Sequence, residues 1–172
     1  MVKGCVIIMF GKFKNMFAGA SGISIPAPVA GKAVKLAEVN DPTFSQEILG
    51  KGCAIQPSEG KIVSPVDATV AMMFETGHAV SLETADGVEL LIHVGLDTVM
   101  LKGAHFTPHC KSGDKVKAGD LLIEFDKDAI AAAGYDTVTP VVVCNADDFS
   151  DVHADTDRQV TALDALLTLK KK

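Results

Sequence analysis

Between residue 26 and about residue 169 the chain is broken every few positions by Gly, Pro, Asn or Asp, and the segments between the breaks are short and rich in β-branched residues. A helix of several turns needs an apolar period of about 3.6 residues sustained over ten or more positions, which this punctuation denies, whereas strands of about four to eight residues accommodate it. Strands are expected at Lys32–Ala37, Cys53–Pro57, Lys61–Val63, Ala68–Phe74, His78–Thr84, Val88–Val94, Asp120–Asp126 and Val138–Val143. Only Lys127–Ala133, closed by Gly134, reads as a helical turn or two. The expected fold is all-β: a compact single-domain β-sandwich or barrel-sandwich hybrid of short antiparallel strands with minor short helices. PVAGKAV at residues 28–34 and PVDATVA at residues 65–71 both set Pro-Val and a small residue ahead of a strand, an internal pseudo-repeat.

Composition narrows the partners. Of 172 residues, 48% are hydrophobic, enough for a proper core, and 22 Asp+Glu against 16 Lys+Arg give a net charge of −6. Phosphate contacts need a cationic face, so a nucleic-acid partner is disfavoured and a basic protein partner favoured. No apolar run approaches the ~20 residues of a spanning helix. With no Trp and one Tyr there is little platform for stacking sugars. The cysteines Cys5, Cys53, Cys110 and Cys144 form no CxxC pair, as suits a reducing compartment; Cys53 and Cys144 lie in apolar runs and are expected to be buried.

The amino end differs from the body. Val6, Met9, Phe10, Phe13, Met16 and Phe17 fall on one helical stripe flanked by Lys3, Lys12 and Lys14. The apolar run ends too soon for a secretion signal. Two readings stand about level: weak contact of residues 3–17 with anionic membrane, or a frayed tail packed on its own domain. Met9 is a plausible alternative start. Residues 18–31 read as a linker, which divides the chain into a tail and linker at 1–25 and a folded domain at 26–172.

Five histidines are present. His105 and His109 are spaced i, i+4, but Pro108 breaks the helix that would align them, so a surface loop is expected; His153 lies in an acidic, solvated stretch. His78 and His93 are joined by HAVSLETADGVELLIH, two alternating runs meeting at Asp86-Gly87, a hairpin signal because both residues tolerate positive φ. With a two-residue loop, Val80 opposes His93, and the two histidines lie diagonally on one face, ~7–8 Å apart at the backbone. Val88, Leu90, Ile92 and Val94 then form the core side. A three-residue loop would change that facing. Two imidazoles beside the hydroxyl of Thr76 can attack a phosphoryl group, donate hydrogen bonds to its oxygens and relay a proton. They equally suit zinc, which takes nitrogen ligands. A lysostaphin-like zinc peptidase would need an H-x-H that the chain lacks, although His93 and Asp97 supply its H-x3-D.

The block SPVD, FET-x-HA, SLET-x-DGVE, LIHVGLDTV, LKG, GD-x-VKAGD, IEFD and TPVVV-x-N, in that order from about residue 26 to about residue 147, closely resembles the IIA domain of the glucose-type bacterial sugar phosphotransferase system. The resemblance implies a phosphocarrier and phosphotransferase component. It would accept a phosphoryl group from the histidine-containing phosphocarrier protein and pass it to the IIB domain of a sugar permease carried on another polypeptide. His93 matches the phosphorylated histidine, His78 the second active-site histidine and Thr76 the hydroxyl bonded to one of them. Asp97, Asp41 and Glu83 match acidic rim positions that would meet a basic donor; in the two-residue register Glu83 points away from the histidines. Phe44, Ile48, Phe74 and Val99 match an apolar collar that keeps water from a labile phosphohistidine. No cofactor is required, zinc on His78 and His93 being adventitious. The implied place is the cytoplasm, with the tail able to put the chain at the inner face of the membrane. In some members the unphosphorylated form binds transporters or metabolic enzymes, so a purely regulatory module is the other alternative. Ala68 stands where the family usually has Gly, and Gly77 where it often has Asn.

Overall fold

The computed structural model describes residues 22–172. Its strands, in chain order, are β1 (Gly22–Pro26), β2 (Gly31–Lys35), β3 (Lys51–Pro57), β4 (Lys61–Val63), β5 (Ala68–Met73), β6 (Ala79–Glu83) and β7 (Glu89–His93). They continue as β8 (Phe106–Pro108), β9 (Lys115–Val116), β10 (Leu121–Phe125), β11 (Thr139–Val143), β12 (Phe149–Ala154), β13 (Arg158–Val160) and β14 (Ala165–Lys171). Two short α-helices intervene, α1 (Pro42–Ser45) and α2 (Lys127–Ala132). The strands build an eight-stranded sheet in the order β13-β2-β3-β11-β7-β6-β5-β9 and two three-stranded sheets, β1-β14-β12 and β4-β10-β8. The mapped pairings are antiparallel throughout. The all-β expectation holds, and all eight expected strands are present with no end shifted by more than two residues.

The large sheet is covered on both faces at its centre. Cys53, Ile55, Val80, Leu82, Leu90 and Ile92 point into the main core, where Ile25, Ile62, Ile123 and Leu167 from the smaller sheets meet them. The alternate residues Ala54, Ala79, Leu91 and Val142 face a second cluster closed by Leu36, Val39, Phe44, Leu96 and Val138. Double coverage explains why TPVVV in β11 is buried at every position, where a half-exposed strand would alternate. The second cluster roofs the face on which His93 lies.

The structure corrects three readings. Residues 22–25, taken as linker, belong to β1, paired with β14 from Gly22 opposite Lys170 to Pro26 opposite Ala165, and Ile25 is fully buried. The folded body therefore reaches at least to residue 22, and the boundary at residue 26 is too late. The amphipathic stripe, the alternative start at Met9 and the membrane contact of residues 3–17 lie outside the described residues. Cys144 is exposed, while Cys53 is buried as expected.

The third correction is the hairpin register. Ala79, and not Val80, opposes His93, and Glu83 opposes Glu89. The loop is Ala85-Asp86-Gly87, with Thr84 and Val88 bonded across it and Gly87 at φ +82°. This is the three-residue loop whose last position takes the left-handed conformation, and glycine reaches it without steric cost. Asn145 holds it from outside: its side-chain oxygen accepts from the Glu89 amide at 2.9 Å and its nitrogen donates to the Gly87 carbonyl at 2.7 Å.

Candidate functional site

His93 ends β7 and His78 stands one residue before β6, so the two meet at the open mouth of the hairpin. In the observed register the ladder continues to His78, whose carbonyl accepts from the Val94 amide at 2.8 Å. Strict alternation would then put the rings on opposite faces. They nevertheless lie edge to face, centroids 4.9 Å apart and planes at 81°, because His78 follows Gly77 at φ +69° and sits outside the strand proper. The convergence expected from the sequence is real, but it is made at the end of the sheet and not across it.

Each ring is held through Nδ1. His93 Nδ1 lies 2.7 Å from the Gly95 carbonyl, an acceptor only, so Nδ1 carries the proton and Nε2 keeps its lone pair. His78 Nδ1 lies 2.5 Å from Thr76 Oγ1. That hydroxyl can donate to an unprotonated Nδ1, which leaves the proton on His78 Nε2.

Apolar side chains wall the pair. Phe44, buried in α1, packs tilted against His93 with centroids 5.2 Å apart, and Phe74 meets the edge of His78 at 5.4 Å. Phe106, for which sequence reasoning had no signal, has its ring centroid 6.5 Å from that of His78. Burial disfavours the charged form of both imidazoles. His78 is pushed down to about 4 by desolvation and then by the neighbouring His93. His93 is lowered chiefly by desolvation, against the Gly95 hydrogen bond and the charges of Asp41 and Asp97, which favour its protonation. Both rings are therefore neutral near pH 7.

The two carboxylates come from loops that the sequence shapes locally. Asp41 is the N-cap of α1, accepting from the Thr43 amide at 2.9 Å with Pro42 at the first helical position. Asp97 is exposed, in the left-handed conformation at φ +57°, and opens a 3-10 turn at Thr98–Leu101. That turn exposes Val99 (48%) and Met100 (64%), and the turn after α1 exposes Ile48 (66%). Met100 was missed by sequence reasoning; its signal was its place next to Val99. Glu83 is not part of this group. It shares the sheet face of His93 but lies four residues further along β6 than Ala79, about 13 Å at strand rise, near the loop end of the hairpin. Among the described residues, no three His, Cys, Asp or Glu side chains converge as a metal-ligand set, and no helix is long and apolar enough to cross a membrane.

A family model described as phosphoenolpyruvate-dependent sugar phosphotransferase system, EIIA 1, matches residues 23–149. The glucose-specific EIIA component of Oceanobacillus iheyensis is 41% identical over 154 residues, covering 87% of this chain and 93% of that protein. The beta-glucoside-specific EIIBCA component of Dickeya chrysanthemi is 52% identical over 126 residues, which are 73% of this chain; they span 20% of that longer protein. The glucose permease IIA of Mycoplasma capricolum superposes with a TM-score of 0.80 at 30% identity, over 87% of this chain and 96% of that one.

Proposed function

Because the chain belongs to the EIIA 1 family of the phosphoenolpyruvate-dependent sugar phosphotransferase system, and so serves phosphoryl transfer within it, we propose that His93 is the residue that carries the phosphoryl group. On this reading the donor is the histidine-containing phosphocarrier protein and the acceptor is the IIB domain of a sugar permease, which would place the chain in the cytoplasm. Fusion of the corresponding domain with B and C components in the EIIBCA relatives supports the IIB partner.

The observation that carries the proposal is the hydrogen bond from His93 Nδ1 to the Gly95 carbonyl. It directs the free lone pair of a neutral imidazole to Nε2. In the proposed step that lone pair forms a bond to phosphorus as the donor's N–P bond breaks, and the donor imidazole keeps the electron pair. Nδ1 stays protonated, and its bond to Gly95 strengthens as the ring gains positive charge. His78, neutral and with Nε2–H free when Thr76 donates to Nδ1, supplies a hydrogen bond to the phosphoryl oxygens as their charge spreads. Phe44 and Phe74 limit water at the phosphohistidine. Asp41 and Asp97 offer negative charge to a basic donor, and the exposed Ile48, Val99 and Met100 offer it a dry contact.

The test is reconstitution with phosphoenolpyruvate, enzyme I and the phosphocarrier protein. One acid-labile, alkali-stable phosphate is expected, abolished in His93→Ala and retained in His78→Ala, which should pass it on poorly. Persistent labelling of His93→Ala would overturn the assignment.

A further inference from the structure

We propose that Thr98 and Asp136 are positioning residues for His93, clamping the Gly95 peptide so that its carbonyl selects which ring nitrogen is free. The Gly95 carbonyl and the Leu96 N–H belong to one planar trans unit and point in opposite directions. The Leu96 amide donates to the Asp136 main-chain oxygen at 3.0 Å, which aims the Gly95 carbonyl the other way, onto His93 Nδ1 at 2.7 Å. The preceding unit is fixed at both ends: the Thr98 hydroxyl donates to the Val94 carbonyl at 2.5 Å, and the Gly95 amide donates to the Val138 carbonyl at 3.0 Å. With both planes held, φ and ψ at Gly95 have no freedom left.

The two side chains have separable parts. Thr98 is fully buried, and its hydroxyl is spent on Val94. Asp136 is exposed; its carboxylate accepts from the Val138 amide at 2.9 Å, closing the turn that presents the Asp136 and Val138 carbonyls to the Gly95 segment. Its side chain reaches His93 only through that turn. An imidazole freed of the Gly95 carbonyl interconverts between tautomers, and the tautomer with hydrogen on Nε2 cannot attack through that atom.

The consequence for phosphate uptake rests on the phosphocarrier reading; the tautomer does not. Long-range 1H–15N spectra of the full chain labelled with 15N-histidine read the tautomer directly. In the wild type His93 should carry its proton on Nδ1. Thr98→Val and Asp136→Ala should each bring in the Nε2–H form and slow phosphate uptake on the order of tenfold, the scale of one hydrogen bond. Thr98→Ser and Asp136→Asn, which keep the oxygen acceptor or donor, should restore both. If Thr98→Val does not fold, Asp136→Ala decides alone. Folded variants that keep Nδ1–H, or a wild-type His93 protonated on Nε2, would overturn the inference. A wild type that shows these tautomer responses but takes no phosphate would instead count against the phosphocarrier reading.

Discussion

His78 and His93 stand edge to face with centroids 4.9 Å apart, although the ladder that joins their strands assigns them to opposite faces. The contact is possible because the chain enters β6 through Gly77, and its energetic mark is the low proton affinity that burial and mutual repulsion impose on His78.

That mark makes stability depend on pH. An unfolded histidine titrates near 6.5 and the folded His78 near 4, so between those values the unfolded chain binds the extra proton. Stability from this residue is complete above about pH 6.5, falls as pH drops and levels off below about 4, a loss of about 3 kcal/mol. His93, also lowered, acts in the same direction. Urea unfolding of wild type and His78→Gln across this window should show a steeper acid decline for the wild type; parallel curves would contradict it.

Thr76 should matter to what His78 donates and not to whether His93 is reached. Thr76→Val removes the hydroxyl at 2.5 Å from Nδ1 and leaves the tautomer of His78 undetermined. Onward transfer should slow on the order of tenfold while labelling of His93 persists, and Thr76→Ser should recover the rate.

Asp41 combines a cap and a charge, and two substitutions separate them. Asp41→Ala should cost about 1 kcal/mol through the lost bond to the Thr43 amide. Asp41→Asn keeps the acceptor but withdraws the charge that favours His93 protonation, so the His93 titration followed by NMR should move down. Phosphate uptake measured against ionic strength should lose part of its salt dependence in both.

Gly95→Ala should be severe in spite of its size. A Cβ there would lie 2.5 Å from Thr98 Cγ2 and 2.8 Å from the Asp136 carbonyl, at φ +78°. Relief requires moving the carbonyl that holds His93, so phosphate uptake should fall by more than in Thr98→Val. A folded Gly95→Ala protein with wild-type uptake would refute this.

The short punctuated segments made six of the eight strands of the large sheet legible, the two- and three-residue β9 and β13 being too short to show a pattern, and the motif around LIHVG made the site legible. The register was not, because two-residue and three-residue loops both favour Asp-Gly, and only the pairing of Ala79 with His93 distinguishes them. Glu83 illustrates the cost: its motif match was sound as sequence, yet distance along β6 removes it from the histidines. β1 was missed for a different reason. Gly22 and Ser24 carry no strand propensity, and Ile25 is drawn into the core by β14, some 140 positions later. The α1 helix was legible in principle, since Asp41-Pro42 is a helix start, but four residues give no periodicity to read.

The pairing of β1 with β14 also governs how such a domain can be attached to other polypeptide. Gly22 faces Lys170 across one ladder, so the first and last strands of the body lie side by side, about 5 Å apart at the backbone. A neighbouring domain can be joined at either end through the same small region of surface, and the body need not open to admit it. Joining residue 22 directly to residue 172 and cutting a distant loop should likewise leave every sheet intact.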